Sequence, residues 1–416
     1  MSLEPRDLTD DLIRFRHELH QEPEVGLDLP RTQQKVLREL DGLPLEISTG
    51  TDTTSVTAVL RGRGAPAGPD RPVVLLRADM DALPVQERSG VAFSSRVDGA
   101  MHACGHDLHT AMLTGAARLL ADRVEQLPGD VVLMFQPGEE GYDGASVMLR
   151  EGVLEAAGRT ADAAYAMHVF SGLAPHGQLL TKPGVMMSAS DGLEVVVHGS
   201  GGHGSAPHHA KDPVTTAAEM VTALQVMVTR QLDMFDPAVV TVGLLQAGTK
   251  RNVIPDTARF EATIRTFSDE NRNHLQVAIP RLLQGIAAAH GLEAEVHYRT
   301  EYPRTVTDLT ETERAERVIA ALLGEERMTR LATPVSGSED FSHVLDRVPG
   351  TFIGLGALTP GADPAAAAFN HSPLAVFDDG VLTDGAALYA ELATTRLAAL
   401  HAEATPTDTA DALATA

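Results

Sequence analysis

The sequence predicts an α/β protein. The expected main domain is a mixed sheet covered by helices on both faces. A second, ferredoxin-like domain of βαββαβ order is expected to be inserted into it. Two observations lead to this prediction. Short apolar runs with strand character alternate with amphipathic runs of helical spacing, and between residues 193 and 298 this pattern changes to the order βαββαβ. The length of 416 residues also fits two domains, since ~150 residues per domain is a soft guide.

The first part of the chain supplies most of the main domain. Residues 8–40 have the apolar spacing of a helix, which Pro23 and Pro30 interrupt. The run 73–78 is apolar until Arg77, as expected for a buried central strand. The other elements predicted for this domain are strands at 55–60, 131–135, 163–169 and 351–355 and helices at 110–122, 311–323 and 384–400.

The middle of the chain predicts the inserted domain. Its strands are expected at 193–198, 239–245, 257–267 and 293–298 and its helices at 213–231 and 268–290. Pro280 is expected to kink or break the second helix. We therefore place the inserted domain at 188–299, between the two parts of the main domain at 1–187 and 300–401. The last residues, 402–416, are Ala-, Thr- and Asp-rich and are expected to be a disordered tail.

The charge of the chain limits its partners. It has 57 acidic against 33 basic residues and a net charge of −24, which repels phosphate backbones and anionic lipid. We therefore expect neither nucleic-acid nor membrane partners. An anionic substrate stays possible, because one arginine can reverse the field inside a cleft. The polar N-terminus without a signal segment and the single cysteine predict a cytoplasmic protein.

Residues 102–109, His-Ala-Cys-Gly-His-Asp-Leu-His, contain the only cysteine of the chain. A lone thiol cannot form an intrachain disulfide. The thiolate of Cys104 and the imidazole of His106 are plausible metal ligands. The alternative is a buried free cysteine beside incidental histidines.

Four further segments place polar residues after predicted strands. Asp79 and Asp81 follow one strand and are candidate site residues. Alternatively, they cap a helix or stabilise a turn. The adjacent Glu139 and Glu140 repel each other unless a cation lies between them, although both could be solvated loop carboxylates. Taken singly, the other two segments indicate little; they contribute His168 and His371.

Together these residues give a thiolate, imidazoles and carboxylates at strand ends, where open α/β sheets place their sites. Such a set suits two borderline divalent ions, Zn²⁺ or Mn²⁺ foremost, with Co²⁺ or Ni²⁺ as alternatives. Two ions ~3.5–4 Å apart with a bridging water form a hydrolytic device.

Nine segments, in order from about residue 14 to 395, resemble the M20 metallopeptidase family. Within it they are similar to the amidohydrolase branch of aminoacylases, hippurate hydrolases and auxin-conjugate hydrolases. The segments are RHELHQEPEVG, LRADMDALPVQE, MHACGHDLHTAMLTGAA, FQPGEEGYDGA, AMHVF, GSGGHGSAPH, RNVIPDTARFEATIRTF, SGSEDF and FNHSP.

The resemblance implies a catalytic domain that carries two metals and an inserted lid that often dimerises, so a homodimer through the lid is expected. It implies Cys104 as the bridging ligand, where other branches have aspartate, and Asp81 as a residue that orients a ligand. Asp79 stands where other branches have a ligand histidine. The full implied ligand set is Cys104, His106, Glu140, His168 and His371.

The resemblance also implies roles in turnover. Glu139 would be the general base, taking a proton from metal-bound water and giving it to the leaving amine. His203, in a glycine-rich loop of the lid, would donate to the oxyanion, in its own subunit or the partner's; its alternative is an ordinary loop histidine. Asn252 and Arg265 would bind substrate, the arginine pairing with a carboxylate unless it is only a surface residue.

The expected function is hydrolysis of the amide bond of N-acyl amino acids, and not endopeptidase action. The substrate alternatives are dipeptides, N-acyl-diaminopimelate and carbamoyl amino acids. The rival from another class is a metal-binding protein that has lost catalysis. Glu139 argues against this rival, because a decommissioned site would be expected to lose its base first.

Overall fold

The computed structural model describes residues 8–404. In this range the chain forms nine α-helices: α1 (Thr9–His20), α2 (Pro30–Leu40), α3 (His106–Asp122), α4 (Gly144–Arg150), α5 (Pro213–Gln231), α6 (Asp269–Ala289), α7 (Leu309–Leu323), α8 (Ser342–Leu345) and α9 (Leu382–Ala404). Its strands are β1 (Leu45–Thr49), β2 (Val56–Arg61), β3 (Val73–Asp79), β4 (Asp130–Gln136), β5 (Ala163–Phe170), β6 (Leu179–Thr181), β7 (Gly184–Met187), β8 (Ala189–His198), β9 (Gly202–His203), β10 (Ala238–Ala247), β11 (Val253–Ile254), β12 (Thr257–Thr266), β13 (Glu293–Tyr302), β14 (Thr305–Thr307), β15 (Met328–Arg330) and β16 (Gly350–Gly356).

The described residues cluster into two compact units. Unit 1 combines the chain up to Gly184 with Val306–Thr333 and the chain from His343, and unit 2 combines Val185–Thr305 with Pro334–Ser342. Unit 2 therefore begins three residues before the predicted inserted domain and continues six residues beyond it. It also takes in a short later segment that the sequence pattern does not mark.

Unit 1 is built on one mixed eight-stranded sheet of order β1-β2-β4-β3-β5-β16-β6-β15. β3 pairs in parallel with both β4 and β5. β2 pairs antiparallel with both β1 and β4. Every residue of β3, β4, β5 and β16 is buried, as expected for strands covered on both faces. The predicted mixed α/β fold class is thus confirmed.

Unit 2 contains a four-stranded antiparallel sheet of order β10-β12-β8-β13, with α5 and α6 between its strands along the chain. This is the βαββαβ order that the sequence predicts. Local signals explain where its helices begin: Pro213 opens α5 behind a capping Asp212, and Ser268 caps α6 through the backbone N–H of Asn271. Their buried apolar stripes pack with the sheet in one core that includes Val195, Leu224, Phe260 and Leu283.

Several details differ from the sequence predictions, among them the course of α6, the strand β1 and the end of α9. α6 runs unbroken through Pro280, so the expected break does not occur; Pro280 has no N–H to donate to the carbonyl group of Gln276, an exposed residue four positions earlier. β1 was not predicted, because it lies at the sheet edge and has no buried face. α9 continues through Ala404, so residues 402–404 of the expected tail are helical, while 405–416 lie outside the described residues.

No helix between residues 8 and 404 combines the length and the apolar character needed to cross a membrane.

Candidate metal centre and active site

Parallel strands bring most of the candidate residues of unit 1 to one edge of its sheet. β3 ends at Asp79 and leads to Asp81, and β4 ends at Gln136 before the loop that carries Glu139 and Glu140. His168 lies near the end of β5, which is parallel to β3. Side chains at the carboxyl ends of parallel strands face one crevice, the usual place for a site in such sheets.

Gly105 fixes the approach of Cys104 and His106 to this edge. It has φ +89°, and a Cβ there would lie 2.3 Å from Cγ2 of Val169 on β5. Only glycine combines this left-handed backbone with such close contact. α3 therefore begins at His106, directly after the turn, and not at residue 110 as the sequence pattern predicts.

Two sets of three possible ligands share the sulfur of Cys104. One set is Cys104, His106 and His168, and the other is Cys104, Glu140 and His371; within each set the ligand atoms all lie within 4.8 Å of one another. Cys104 Sγ is 3.3 Å from Nε2 of His168 and 3.3 Å from Nε2 of His371. His371 Nε2 is in turn 3.1 Å from Oε1 of Glu140.

The donor atoms fit a pair of metal ions. Bonds of ~2.0–2.3 Å at tetrahedral angles put neighbouring ligand atoms about 3.3–3.7 Å apart, close to these separations. His106 is 1% exposed, and neither of its ring nitrogens has a hydrogen-bond partner among residues 8–404. An imidazole is costly to bury in this state without a metal. His102 shares the feature but belongs to none of the ligand sets found in that range.

A third set, Asp79, His106 and His109, is close enough to bind an ion but is already engaged. Asp79 accepts hydrogen bonds from Arg77 at 2.6 Å and from Nδ1 of His109 at 2.5 Å. Nε2 of His109 accepts the backbone N–H of Val169 at 2.7 Å. Because both nitrogens of His109 are used, Asp79 and His109 form a structural chain and not a further metal site.

Asp81 organises the glutamate loop. Its two carboxylate oxygens accept the backbone N–H groups of Glu139 and Glu140, each at 3.0 Å. Oδ1 of Asp81 also lies 3.4 Å from Nδ1 of His106, a close contact without the geometry of a hydrogen bond. Glu139 is 6% exposed and forms a further close set with His106 and Glu140. The two adjacent carboxylates are therefore held beside the ligand sets by one aspartate.

The loop of His371 is attached to the same place by Asn370. The amide of Asn370 donates to the carbonyl groups of Cys104 at 3.2 Å and Val169 at 3.0 Å and accepts the N–H of Ser171 at 3.0 Å. His371 itself has φ +72°, an uncommon conformation for a residue other than glycine, and donates its N–H to the carbonyl oxygen of Ala103. A strained backbone conformation of this kind persists only where the surrounding structure holds it. Such conformations are common at functional sites.

The electrostatics match groups prepared for cations. Burial and then Glu140 raise the pKa of the Cys104 thiol, so a nearby cation is needed to form the thiolate there. Hydrogen bonds to Cys104 and then Glu140 raise the pKa of His371 to about 10. Burial opposes ionisation of Asp79, but Arg77 and then His106 hold the pKa of that carboxyl well below its usual value. Ionisation of the thiol and the carboxylates of this site therefore depends on neighbouring positive charge.

Unit 2 holds the other three candidate residues. His203 on β9 pairs with Val253 on β11, next to Asn252, whose carbonyl oxygen accepts the N–H of Gly204 at 2.9 Å. Arg265 lies on β12 and lines a cavity of about 550 Å³ with Ser190, Thr241 and Thr263. Its buried Nη1 atom has no hydrogen-bond partner within the described range, and burial lowers its pKa. This Nη1 can donate to a carboxylate, and the negative charges already in this cavity that act on Arg265 are Glu301 and Asp191.

Sequence reasoning missed His109, Asn370 and Tyr389. His109 lies three residues after His106 on α3, and this spacing could have placed it on the same helical face. Asn370 precedes a candidate ligand, which is a weak signal. Tyr389, on α9, carries no local signal, because its hydroxyl contacts backbone groups of two distant strands.

Comparisons with known proteins place this chain among members of one family. A sequence profile described as peptidase family M20/M25/M40 matches residues 75–395. The N-acetylcysteine deacetylase of Bacillus subtilis is 38% identical over 92% of this chain and 96% of its own. Thermostable carboxypeptidase 1 of Saccharolobus solfataricus is 35% identical over 93% and 96%. The hippurate hydrolase of Campylobacter jejuni is 33% identical over 93% and 97%.

A solved structure with 34% identity also matches. It is that of the Bacillus subtilis YXEP protein, described as a dinuclear metal-binding peptidase of the M20 family. The match covers 94% of this chain and 99% of that chain, with a TM-score of 0.77.

Proposed function

Since the chain belongs to peptidase family M20/M25/M40, we propose that it hydrolyses the amide bond of N-acyl amino acids, releasing a carboxylic acid and a free amino acid. The observation that carries this proposal is the pair of ligand sets that share the sulfur of Cys104. Relatives named as an N-acetylcysteine deacetylase, a carboxypeptidase and a hippurate hydrolase support a substrate whose acyl side varies.

We assign the holding of two divalent ions to Cys104, His106, Glu140, His168 and His371, and Cys104, which belongs to both ligand sets, would be available to either ion. Zn²⁺ or Mn²⁺ suits this mixture of ligands, and Co²⁺ or Ni²⁺ is an alternative. When bound, such ions polarise the carbonyl group and lower the pKa of a water toward ~7. Asp81 orients His106 and fixes the glutamate loop.

Glu139 is assigned the proton transfers. Its carboxylate takes a proton from the attacking water and later donates it to the leaving amine, so that the amino acid departs as a neutral amine. Glu139 is buried beside His106 and Glu140, so bulk water is excluded and the proton has only a short distance to move.

Three residues of unit 2 are assigned to the substrate. Nδ1 of His203 accepts the N–H of Ser205 at 3.1 Å, so the neutral ring carries its proton on Nε2. This tautomer is the donor that a developing oxyanion needs. Arg265 is assigned to the carboxylate of the amino acid and Asn252 to a polar contact with the substrate.

We also propose a homodimer formed through β10. β10 and β13 are the edges of the unit 2 sheet among the described residues. β13 carries Glu293, Glu295, Arg299 and Glu301, the kind of charge that protects an edge strand from pairing. β10, AVVTVGLLQA, has no charged residue and exposes Val239 and Leu245. Antiparallel pairing of two β10 strands about a two-fold axis would satisfy this edge.

Lysine at both Val239 and Leu245 is expected to weaken the dimer by ~10-fold or more, because like charges then meet across the two-fold axis. Sedimentation equilibrium measures this change. The matched control is Val277→Lys on α6, an equally apolar residue that is 66% exposed and lies off the edge. A wild-type protein that is monomeric at micromolar concentration would contradict the proposal, as would equal weakening by the control.

The substrate class is tested with N-acetyl, N-benzoyl and N-indoleacetyl amino acids, each assayed with Zn²⁺ and with Mn²⁺ after chelation. We expect kcat/KM for N-acetylmethionine to exceed that for N-acetylmethioninamide by ~10² or more, because the amide lacks the carboxylate assigned to Arg265. Chelation should abolish turnover. Faster cleavage of dipeptides or N-acyl-diaminopimelate would favour those substrates, and bound metal without any turnover would favour the inactive metal-binding protein.

We further propose a cytoplasmic location, where a reducing environment preserves the thiolate of Cys104 as a ligand.

A further inference from the structure

The unit 1 sheet splits between β3 and β5. Their backbone pairing ends at Arg77 and Ala166, although β3 continues beside β4 to Asp79 and β5 continues beside β16 to Phe170. The two strands therefore diverge just before the residues that face the ligand sets. A split of this kind leaves backbone groups of both strands without their ladder partners.

Two buried side chains bridge this split. The hydroxyl of Tyr389 accepts the N–H of Met167 at 2.8 Å and donates to the carbonyl oxygen of Arg77 at 2.6 Å. One step further, His109 accepts the N–H of Val169 and donates to the carboxylate of Asp79. Tyr389 comes from α9 and His109 from α3, and both are 0% exposed.

The residue between the two bridges is His168. The N–H groups of Met167 and Val169, on either side of it, are both held by these bridges, and its own Nδ1 donates to the carbonyl oxygen of Val169 at 2.8 Å. Its Nε2 then lies 3.3 Å from the sulfur of Cys104. The direction of this ring thus depends on a short stretch of backbone that two distant helices fix.

We propose that Tyr389 and His109 are positioning residues for the metal centre: they hold β3 and β5 a fixed distance apart and thereby fix His168 as a ligand. Neither residue belongs to the five assigned ligands or to the residues assigned to the substrate. The inference rests on the proposed function for the presence of the ions, but it concerns only residues of this chain. Residues that orient ligands in this way typically contribute ~10–100-fold to metal affinity.

Tyr389→Phe removes the hydroxyl and keeps the ring. The matched control is Tyr165→Phe, on β5 itself and equally buried, whose hydroxyl donates to Glu311 at 2.5 Å, away from the split. We expect Tyr389→Phe to weaken the binding of one of two Co²⁺ ions by ~10-fold and to change the thiolate-to-cobalt and d–d absorption bands. Tyr165→Phe should lower Tm comparably but leave Co²⁺ affinity and spectrum as in the wild type.

A second pair of variants keeps the inference testable if Tyr389→Phe does not fold. In His109→Gln the side-chain oxygen reaches the position of Nε2 and can accept the N–H of Val169, whereas in His109→Asn it cannot. We expect the glutamine variant to bind Co²⁺ several-fold more tightly than the asparagine variant. Equal affinities in this pair would overturn the inference, as would unchanged Co²⁺ binding in Tyr389→Phe or equal weakening in Tyr165→Phe. A wild-type protein that binds fewer than two ions would instead count against the proposed metal centre.

Discussion

Glu139→Gln is expected to lower kcat by ~10²–10⁴-fold while the protein keeps its fold and both metal ions. The amide replaces the carboxylate at nearly constant volume, so the loop held by Asp81 should not change. What is lost is the group that can accept a proton from water and return it to the amine. Steady-state kinetics with N-acetylmethionine, together with metal analysis of the same sample, measures both parts of this prediction.

The adjacent residue provides the control. Glu140→Gln makes the same chemical change one position further along the same loop, but there it removes an assigned metal ligand that lies 3.1 Å from His371. We expect Glu140→Gln to lose metal as well as activity, and Glu139→Gln to lose activity alone. Near wild-type kcat in Glu139→Gln would show that this residue is not the base. Loss of metal in that variant would show that it is a ligand instead.

The sequence predicts the long buried strands of the unit 1 sheet and misses several strands that are short or exposed. The extents of four strands, β3, β4, β5 and β16, differ from the predicted ones by one or two residues at most. Their apolar runs end where the strands are no longer buried between the layers of the domain. β1 is missed because its residues are mostly exposed and its pairing with β2 stabilises it. Pro280 is tolerated because the helix around it packs on a sheet, a tertiary effect that local propensity does not contain.

The residues of the candidate site were also only partly predictable from the sequence. Cys104 and His106 are close in the chain, so their pairing could be predicted from spacing, and Glu139 and Glu140 are adjacent. The structure brings His168 and His371 to the same sulfur, which single histidines in the sequence could not indicate without the family resemblance. The bridge made by Tyr389 joins strands more than 200 residues away along the chain. No periodicity encodes a contact of that kind, because it depends on where the sheet splits.

His203→Ala is expected to lower kcat by ~10²–10³-fold with a much smaller change in KM, because an oxyanion donor acts mainly in the transition state. His203→Gln is the informative companion, since its amide N–H can occupy the position of Nε2–H and should recover part of the rate. Ser205→Ala tests the tautomer of His203 with a smaller change, because it removes only the hydroxyl group of Ser205. The backbone N–H of residue 205 still donates to Nδ1 of His203, so most activity should persist. Hydrolysis by His203→Ala at the wild-type rate would remove this residue from the mechanism.

The same variant decides whether His203 acts in its own subunit or in the partner's. Glu139→Gln and His203→Ala are each expected to be inactive alone, for different reasons. If His203 acts across the dimer, mixing them creates heterodimers with one intact composite site. At full exchange about a quarter of wild-type sites should then be active, because half of the dimers are mixed and half of their sites are intact. Subunit exchange is established separately with differently tagged chains. Complete exchange without recovery of activity would assign His203 to its own subunit, and a monomeric wild-type protein would exclude the arrangement across a dimer.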